Sequence, residues 1–254
     1  MVMSSQFFIE PINRNVKLWR YMNFAKYLSM LINKGLWFTR LPTLEDEFEC
    51  SSPKSHLDIL KNNLKGKIGE KQIQEILEGN IEVARIYREW IFINCWHMNP
   101  EESYDMWKIY SNNNESISIQ TTYRQLSDLL PKDISLSMVR YIDYEEAILP
   151  FGYPVQFAIY KREAYKYENE IRAIKTGEFP IEDRKDHKAI FSEEKLIPGE
   201  IVPIDLNKLI HKVIISPLSE NWFYEIVKNV SKKFLLNAPI EKSSLNNAPI
   251  YLGF

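Results

Sequence analysis

Cysteine and histidine are scarce, with two and four copies in 254 residues. Cys50 and Cys95 show no metal-ligand spacing, and no two of His56, His97, His187 and His211 fall at ligand distance in sequence. No metal site is therefore expected, and the two thiols read as reduced cysteines of a cytoplasmic protein. Charge of one sign is also lacking. Lys and Arg number 32 against 34 Asp and Glu, for a net charge of −2. That balance gives no global attraction to nucleic acid, although it leaves room for a local basic patch. No run approaches the roughly 18 apolar residues of a spanning helix. The opening Met1–Glu10 has neither the basic nor the apolar region of a signal peptide. A cytoplasmic location without a membrane partner is the expectation. Only eight glycines occur, and none forms a Walker-type, GxGxxG or GxSxG loop.

Aromatic residues are abundant, at 14 Tyr, 13 Phe and 6 Trp. Such rings fill cores and also build pockets for flat ligands. With 45% hydrophobic and 26% charged residues the chain has ordinary globular composition. No repeat or low-complexity linker breaks it, so residues 1–254 are expected to form a single domain. A strand at 16–21 leads to a helix capped by Asn23 and stopped at Gly35. A strand at 36–39 and an acidic turn at 45–49 follow. The Lys/Glu-rich stretch 55–89 reads as a solvated helical insertion of two or three helices, broken near Gly66, Gly69 and Gly79.

A buried strand at 90–96 precedes Asn99-Pro100-Glu101-Glu102, which reads as a helix start, with Asn99 as cap and Glu102 closing a capping box. Strands are expected at 116–121, 136–144, 170–176, 200–205 and 212–216, and helices at 122–130 and 157–167. Between 176 and 200 the sequence reads as an exposed polar stretch. Ser219 is read as the cap of a last helix carrying Trp222, Ile226 and Val230 at helical spacing. Without a regular βαβ rhythm the class is α+β: a mixed, mainly antiparallel sheet core with flanking helices and the insertion.

Three stretches carry residues suited to chemistry. On the helix after Glu102, Ser103, Met106, Trp107 and Tyr110 share one face. That face points back toward Trp96 and His97, so a strand–helix junction would gather two indoles, a phenol, an imidazole and a hydroxyl. The same stripe is also what an ordinary helix core looks like. His97 is either a general acid/base or a structural histidine bonded to a loop carbonyl. In Tyr167-Glu168-Asn169-Glu170-Ile171-Arg172 an extended chain puts Glu168, Glu170 and Arg172 on one face. Paired carboxylates raise each other's proton affinity, as acid/base work requires, while a plain Glu–Arg bridge is the alternative. Arg20, flanked by Trp19 and Tyr21, suits a phosphate or carboxylate, or else pairs with the acidic turn at 45–47.

Taken in order, Leu18-Trp19-Arg20-Tyr21-Met22, Gly35-Leu36-Trp37-Phe38 with Asp46 and Glu49, the Glu102–Tyr110 stretch and Tyr167–Arg172 resemble the DUF2971 family of uncharacterised prokaryotic proteins. The resemblance runs from about residue 18 to 245. Where that family shows an Asn-Asp-Pro-Glu turn, this chain has Glu45-Asp46-Glu47-Phe48-Glu49. The order of an early Arg, a middle Ser strand and a late Glu-x-Glu also resembles NAD-dependent ADP-ribosyltransferases. That resemblance implies NAD as substrate, with Arg20 on its phosphates, Ser116 or Ser118 at the nicotinamide side, and Glu170 as catalytic carboxylate beside Glu168. It implies a nucleotide ligand, an ADP-ribose acceptor that is a protein or a nucleic acid, and a toxin or anti-phage role. The competing expectation is a non-catalytic module sensing a nucleotide or peptide through the same aromatic residues. The spacing after Glu170 does not fit a metal-dependent nuclease.

Overall fold

Local signals fix the first elements as the sequence predicts. Strand β1 (Lys17–Asn23) ends on Asn23, whose side chain accepts a hydrogen bond from Lys26 N and caps α1 (Phe24–Asn33). The left-handed residue that ends α1 is Lys34 (φ 49°), not Gly35. Gly35 instead opens β2 (Gly35–Arg40), where a Cβ would stand 2.6 Å from the Val202 carbonyl oxygen. It is glycine for close approach, not for turning.

The computed structural model describes residues 7–110, 114–149, 154–185 and 188–246. His187 lies outside them. After β2 come α2 (Lys54–Leu64) and α3 (Glu70–Trp90). Helix α3 runs unbroken through Gly79, which the sequence reading takes for a stop. An isolated glycine costs a helix only about 1 kcal/mol, and Ile73, Ala84 and Ile86 are buried along it. Strand β3 (Ile91–Met98), α4 (Tyr104–Tyr110), β4 (Ser116–Thr122) and α5 (Tyr123–Leu129) follow.

The expected helix at 157–167 is not one. Strands β5 (Ser135–Met138) and β6 (Arg140–Ile142) lead to a 3-10 turn (Pro154–Ile159), strand β7 (Tyr160–Arg162) and a second 3-10 turn (Glu163–Glu168). Parallel pairing of β7 with β6 overrides the helical spacing. Strand β8 (Glu170–Thr176) is as expected. The polar stretch after it contains a hairpin, β9 (Ile181–Lys185) and β10 (Lys188–Phe191). Helix α3 holds this hairpin: Glu82 Oε1 accepts from Ala189 N, and Arg85 donates to the Ala189 carbonyl while lying 4.4 Å over the Phe191 ring.

Strand β11 (Gly199–Pro203), α6 (Leu206–Leu209), β12 (Lys212–Ile215), α7 (Asn221–Lys233) and β13 (Ile240–Lys242) complete the order. Glu220, not Ser219, stands at the cap of α7; Ser219 Oγ donates to the Asn114 carbonyl. The buried stripe of α7 is Phe223, Val227 and Ser231, with Ser231 hydrogen-bonded to Tyr27, so Trp222 and Ile226 lie on its exposed flank.

The pairings are mainly antiparallel, with helices flanking, so the α+β expectation holds. Two compact units emerge, and three of the boundaries between them in sequence fall inside β2, β3 and β11. The first comprises 1–10, 37–94 and 132–200; its strand pairs are β2 with β3, β5 with β8, β6 with β7 and β9 with β10. The second comprises 11–36, 95–131 and 201–254; in it β1 pairs with β3 and β4, and β12 with β4 and β13.

Candidate functional site

In the second unit the strand register assembles the aromatic residues. Trp19 of β1 is paired with His97 of β3 and Gln120 of β4, and Tyr21 is paired with Ser118. Tyr21 is the hub. Its ring stands edge-on to Trp107 (4.9 Å between centroids, 85° between planes) and to His97 (6.3 Å, 60°). Its hydroxyl accepts from Ser103 N at 2.9 Å. Burial raises the Tyr21 hydroxyl's pKa; the Ser103 hydrogen bond opposes this and the Glu102 charge adds to it. Tyr21, His97, Ser103 and Trp107 thus come together. Trp107 and Tyr21 are also core, packed with Trp19, Met106 and Ile214.

The other predicted residues of this unit are Tyr110, Trp96, Arg20, Ser116 and Ser118. Tyr110, at the end of α4, is 42% exposed. Trp96 is buried, and the Arg20 guanidinium stands 6.0 Å over its ring. Burial lowers the Arg20 pKa from its ordinary value, with Cys95 and Tyr110 opposing. Ser116 and Ser118 are fully buried on β4, and among the described residues the Ser118 hydroxyl and Gln120 Nε2 have no hydrogen-bond partner. A buried polar group without a partner costs about 1–3 kcal/mol, so it marks a place where a ligand or a water would be welcome.

Glu102 is not the capping residue its position predicts. Helix α4 begins at Tyr104, and Ser103 Oγ accepts from Met106 N at 3.3 Å, as a cap does. Asn99 is occupied with the Glu101 carbonyl. The Glu102 carboxylate fastens a distant segment. Oε1 accepts from Ser244 N and Ser244 Oγ, both at 3.0 Å. Oε2 accepts from Ser243 Oγ at 2.6 Å and Trp107 Nε1 at 3.2 Å. Each oxygen faces one group that can only donate, Ser244 N or Trp107 Nε1. A glutamine's NH₂ would confront one of them in either orientation. Glu102→Gln is therefore expected to cost about 1–3 kcal/mol and to speed hydrogen exchange at Ser244 N. Unchanged urea unfolding and exchange would mean that the clasp contributes nothing.

The first unit holds a buried ionic cluster of which the sequence shows only part. Arg172 is fully buried. It grips Glu170 with Nε and Nη2 (2.7 and 3.0 Å) and places Nη1 2.7 Å from both Glu49 Oε2 and the Ala158 carbonyl. Lys161 Nζ lies 2.5 Å from Glu168, 3.2 Å from Glu49 and 3.6 Å from Glu170. Three carboxylates thus share two cations, each of the five residues at most 7% exposed. Burial raises the Glu168 pKa; Lys161 lowers it and Glu170 raises it further. Burial would depress the Lys161 pKa, but Glu170, Glu49 and Glu168 more than reverse this and raise it. Asp46, also buried, pairs instead with Arg162 at 2.9 Å.

Glu49 and Lys161 escape the sequence reading because Glu49 passes for a turn residue and Lys161 falls in the supposed helix. The one hint is the run Val155–Tyr160, apolar but for Gln156, leading straight into a lysine. Nearby Cys50 is a buried thiol, outside any disulfide, whose pKa burial pushes up to about 12, which makes it unreactive. Among the described residues no group of three or more His, Cys, Asp or Glu side chains could hold a metal ion. No helix among them is long and apolar enough to cross a membrane.

No family model matches the sequence, and no curated protein matches it. Among solved structures the chain is similar to DarT of Thermus sp. 2.9 in complex with carba-NAD+. The two are 8% identical over 91% of this chain and 96% of that one, with a TM-score of 0.36. A likeness of this size carries no argument about fold or chemistry.

Proposed function

We propose that the chain is an ADP-ribosyltransferase-like protein of DUF2971 type that binds NAD and either transfers ADP-ribose to an acceptor or hydrolyses NAD. The observation that carries this reading is the buried Glu168–Glu170 pair, whose members have unlike surroundings. Glu170 is gripped by Arg172, while the Glu168 pKa is raised. Two carboxylates set apart in this way are the usual equipment of acid/base and cation-stabilising sites. When the bond from ribose to nicotinamide breaks, its electron pair leaves with nicotinamide and the ribose becomes positive. A fixed carboxylate such as Glu170 stabilises that charge. The resemblance assigns the phosphates to Arg20 and the nicotinamide side to Ser118; within the second unit the Arg20 guanidinium stands over Trp96 and the buried Ser118 hydroxyl has no hydrogen-bond partner among the described residues.

A second reading has its own support. Glu49, Glu168 and Glu170 each already rest on a cation, as members of a purely structural network do. The protein would then be a nucleotide- or peptide-sensing module with its ligand near Tyr21 and His97. Calorimetric titration with NAD, alongside nicotinamide release with protein and nucleic-acid acceptors supplied, separates the two. Arg20→Ala should weaken NAD binding about 10- to 100-fold, the loss of one or two charge-assisted hydrogen bonds. If the wild type neither binds nor consumes NAD, the transferase reading falls and the sensor reading leads.

A further inference from the structure

Aromatic rings flank the ionic cluster of the first unit. Lys161 Nζ lies 4.7 Å over the Tyr165 ring. The next residue, Arg162, stands between two rings, its guanidinium 4.5 Å over Phe48 and 5.5 Å from the centre of Tyr165. Tyr167 continues the series, 6.4 Å from Tyr165 with the planes 37° apart. Phe48 is 44% exposed and Tyr167 48%, so this run of rings ends in water. The guanidinium is held in advance of any ligand. Buried Asp46 accepts from its Nε at 3.2 Å and pairs with its Nη2 at 2.9 Å, and the Tyr165 hydroxyl accepts from Nη2 at 3.4 Å. Nη1 donates to no described residue, on a side chain that is 38% exposed. A fixed fork with donors to spare suits an anionic group, and exposed rings suit a planar one.

The turns that present these groups are strained. Phe48 N donates to Asp46 Oδ1 and Glu49 N to the Asp46 carbonyl, and this first turn runs into Cys50 at φ 63°. The 3-10 turn Glu163–Glu168 ends on Asn169 at φ 39°. Four non-glycine residues have positive φ among the described residues, and these are two of them. Such conformations gather at ligand sites, where the surroundings hold them in place. We propose that Phe48, Arg162, Tyr165 and Tyr167 form a nucleotide subsite, with the base stacked on Tyr167 and a phosphate on Arg162, whose plane Phe48 and Tyr165 clamp. Within the NAD reading, on which its link to catalysis rests, the subsite adds an arginine to Arg20 and sets the nucleotide beside Glu168 and Glu170. As a binding site it stands without catalysis.

Calorimetric titration with AMP and with adenosine tests it. The wild type should bind AMP about 10- to 100-fold more tightly than adenosine, the worth of one or two charge-assisted hydrogen bonds. Arg162→Gln should erase that gap, and Arg162→Lys, which keeps the charge without the fork, should restore part of it. Tyr167→Leu should weaken both ligands alike, by about 5- to 100-fold. Phe48→Leu, which unclamps the guanidinium, should narrow the gap and spare adenosine. A purely structural Asp46–Arg162 tie would change melting temperature and leave the gap alone. Arg162→Gln leaves buried Asp46 without this partner, so if that variant does not fold, the two exposed rings decide through Tyr167→Leu and Phe48→Leu. AMP bound in this pattern by a protein that does not consume NAD would keep the subsite and remove the transferase. The proposal is overturned if the wild type binds neither ligand, if AMP and adenosine bind alike, or if Tyr167→Leu binds AMP as the wild type does.

Discussion

Arg172→Met should leave the first unit about 3–5 kcal/mol less stable, or unfolded, in urea titration. The guanidinium is fully buried, ion-paired at 2.7 Å with each of two carboxylates, and donates to the Ala158 carbonyl. Removing one partner of a buried ionic network strands the other, and that uncompensated charge sets the size of the loss. In the variant Glu49 and Glu170 would lose the guanidinium and share Lys161, which Glu168 already holds at 2.5 Å. Arg172→Lys should recover part of the loss. It keeps the charge but not the fork that reaches both oxygens of Glu170. A midpoint for Arg172→Met within 1 kcal/mol of wild type would show that solvent reaches the cluster and that its burial is nominal.

On the transferase reading, Glu170→Gln should lower nicotinamide release from NAD by about 10²–10⁴-fold, with a much smaller change in NAD affinity. Nicotinamide is neutral once released, so the carboxylate is needed chiefly where the ribose turns positive. A loss confined to kcat is the mark of an interaction made in the transition state. From sequence alone this substitution is expected to spare the fold, but the structure removes that expectation. The glutamine NH₂ would face a nitrogen of Arg172, so stability should fall as well. Turnover and urea unfolding must therefore be measured on the same preparation, well below its melting range. An affinity loss as large as the loss in turnover would place Glu170 in ground-state binding and remove the catalytic role.

How far the sequence could be read depended on whether a residue's partner was near or far along the chain. Asn23 and its bond to Lys26 span one helical turn, and the start of α1 was legible. So was β8, whose alternation needs no partner to be visible. Glu102 was misread because Asn99-Pro100-Glu101-Glu102 satisfies a local rule, while its actual partner, Ser243, is 141 residues away. Tyr160–Arg162 looked helical for the same reason: the force that extends it is pairing with β6. At the candidate site, His97, Ser103 and Trp107 could be grouped from periodicity, because strand and helix are joined by a short turn, whereas Tyr21, on β1, was legible only as a flank of Arg20. Glu168, Glu170 and Arg172 were visible as a row. Glu49 and Lys161, which make the row a closed cluster, come from other segments and left no pattern.

Each unit is stitched from three separate stretches of chain. In the second unit β1 pairs with β4, and the far side of β4 is completed only by β12. During synthesis the ribosome must therefore make everything from Lys17 to Ile215 before this part of the sheet is whole. At about 5–20 residues per second that interval lasts on the order of ten to forty seconds. Until then Leu18, Trp19, Tyr21 and Met22 form an apolar strand without a complete sheet to enter. A nascent chain of this design therefore carries an incomplete sheet with apolar residues for most of its synthesis.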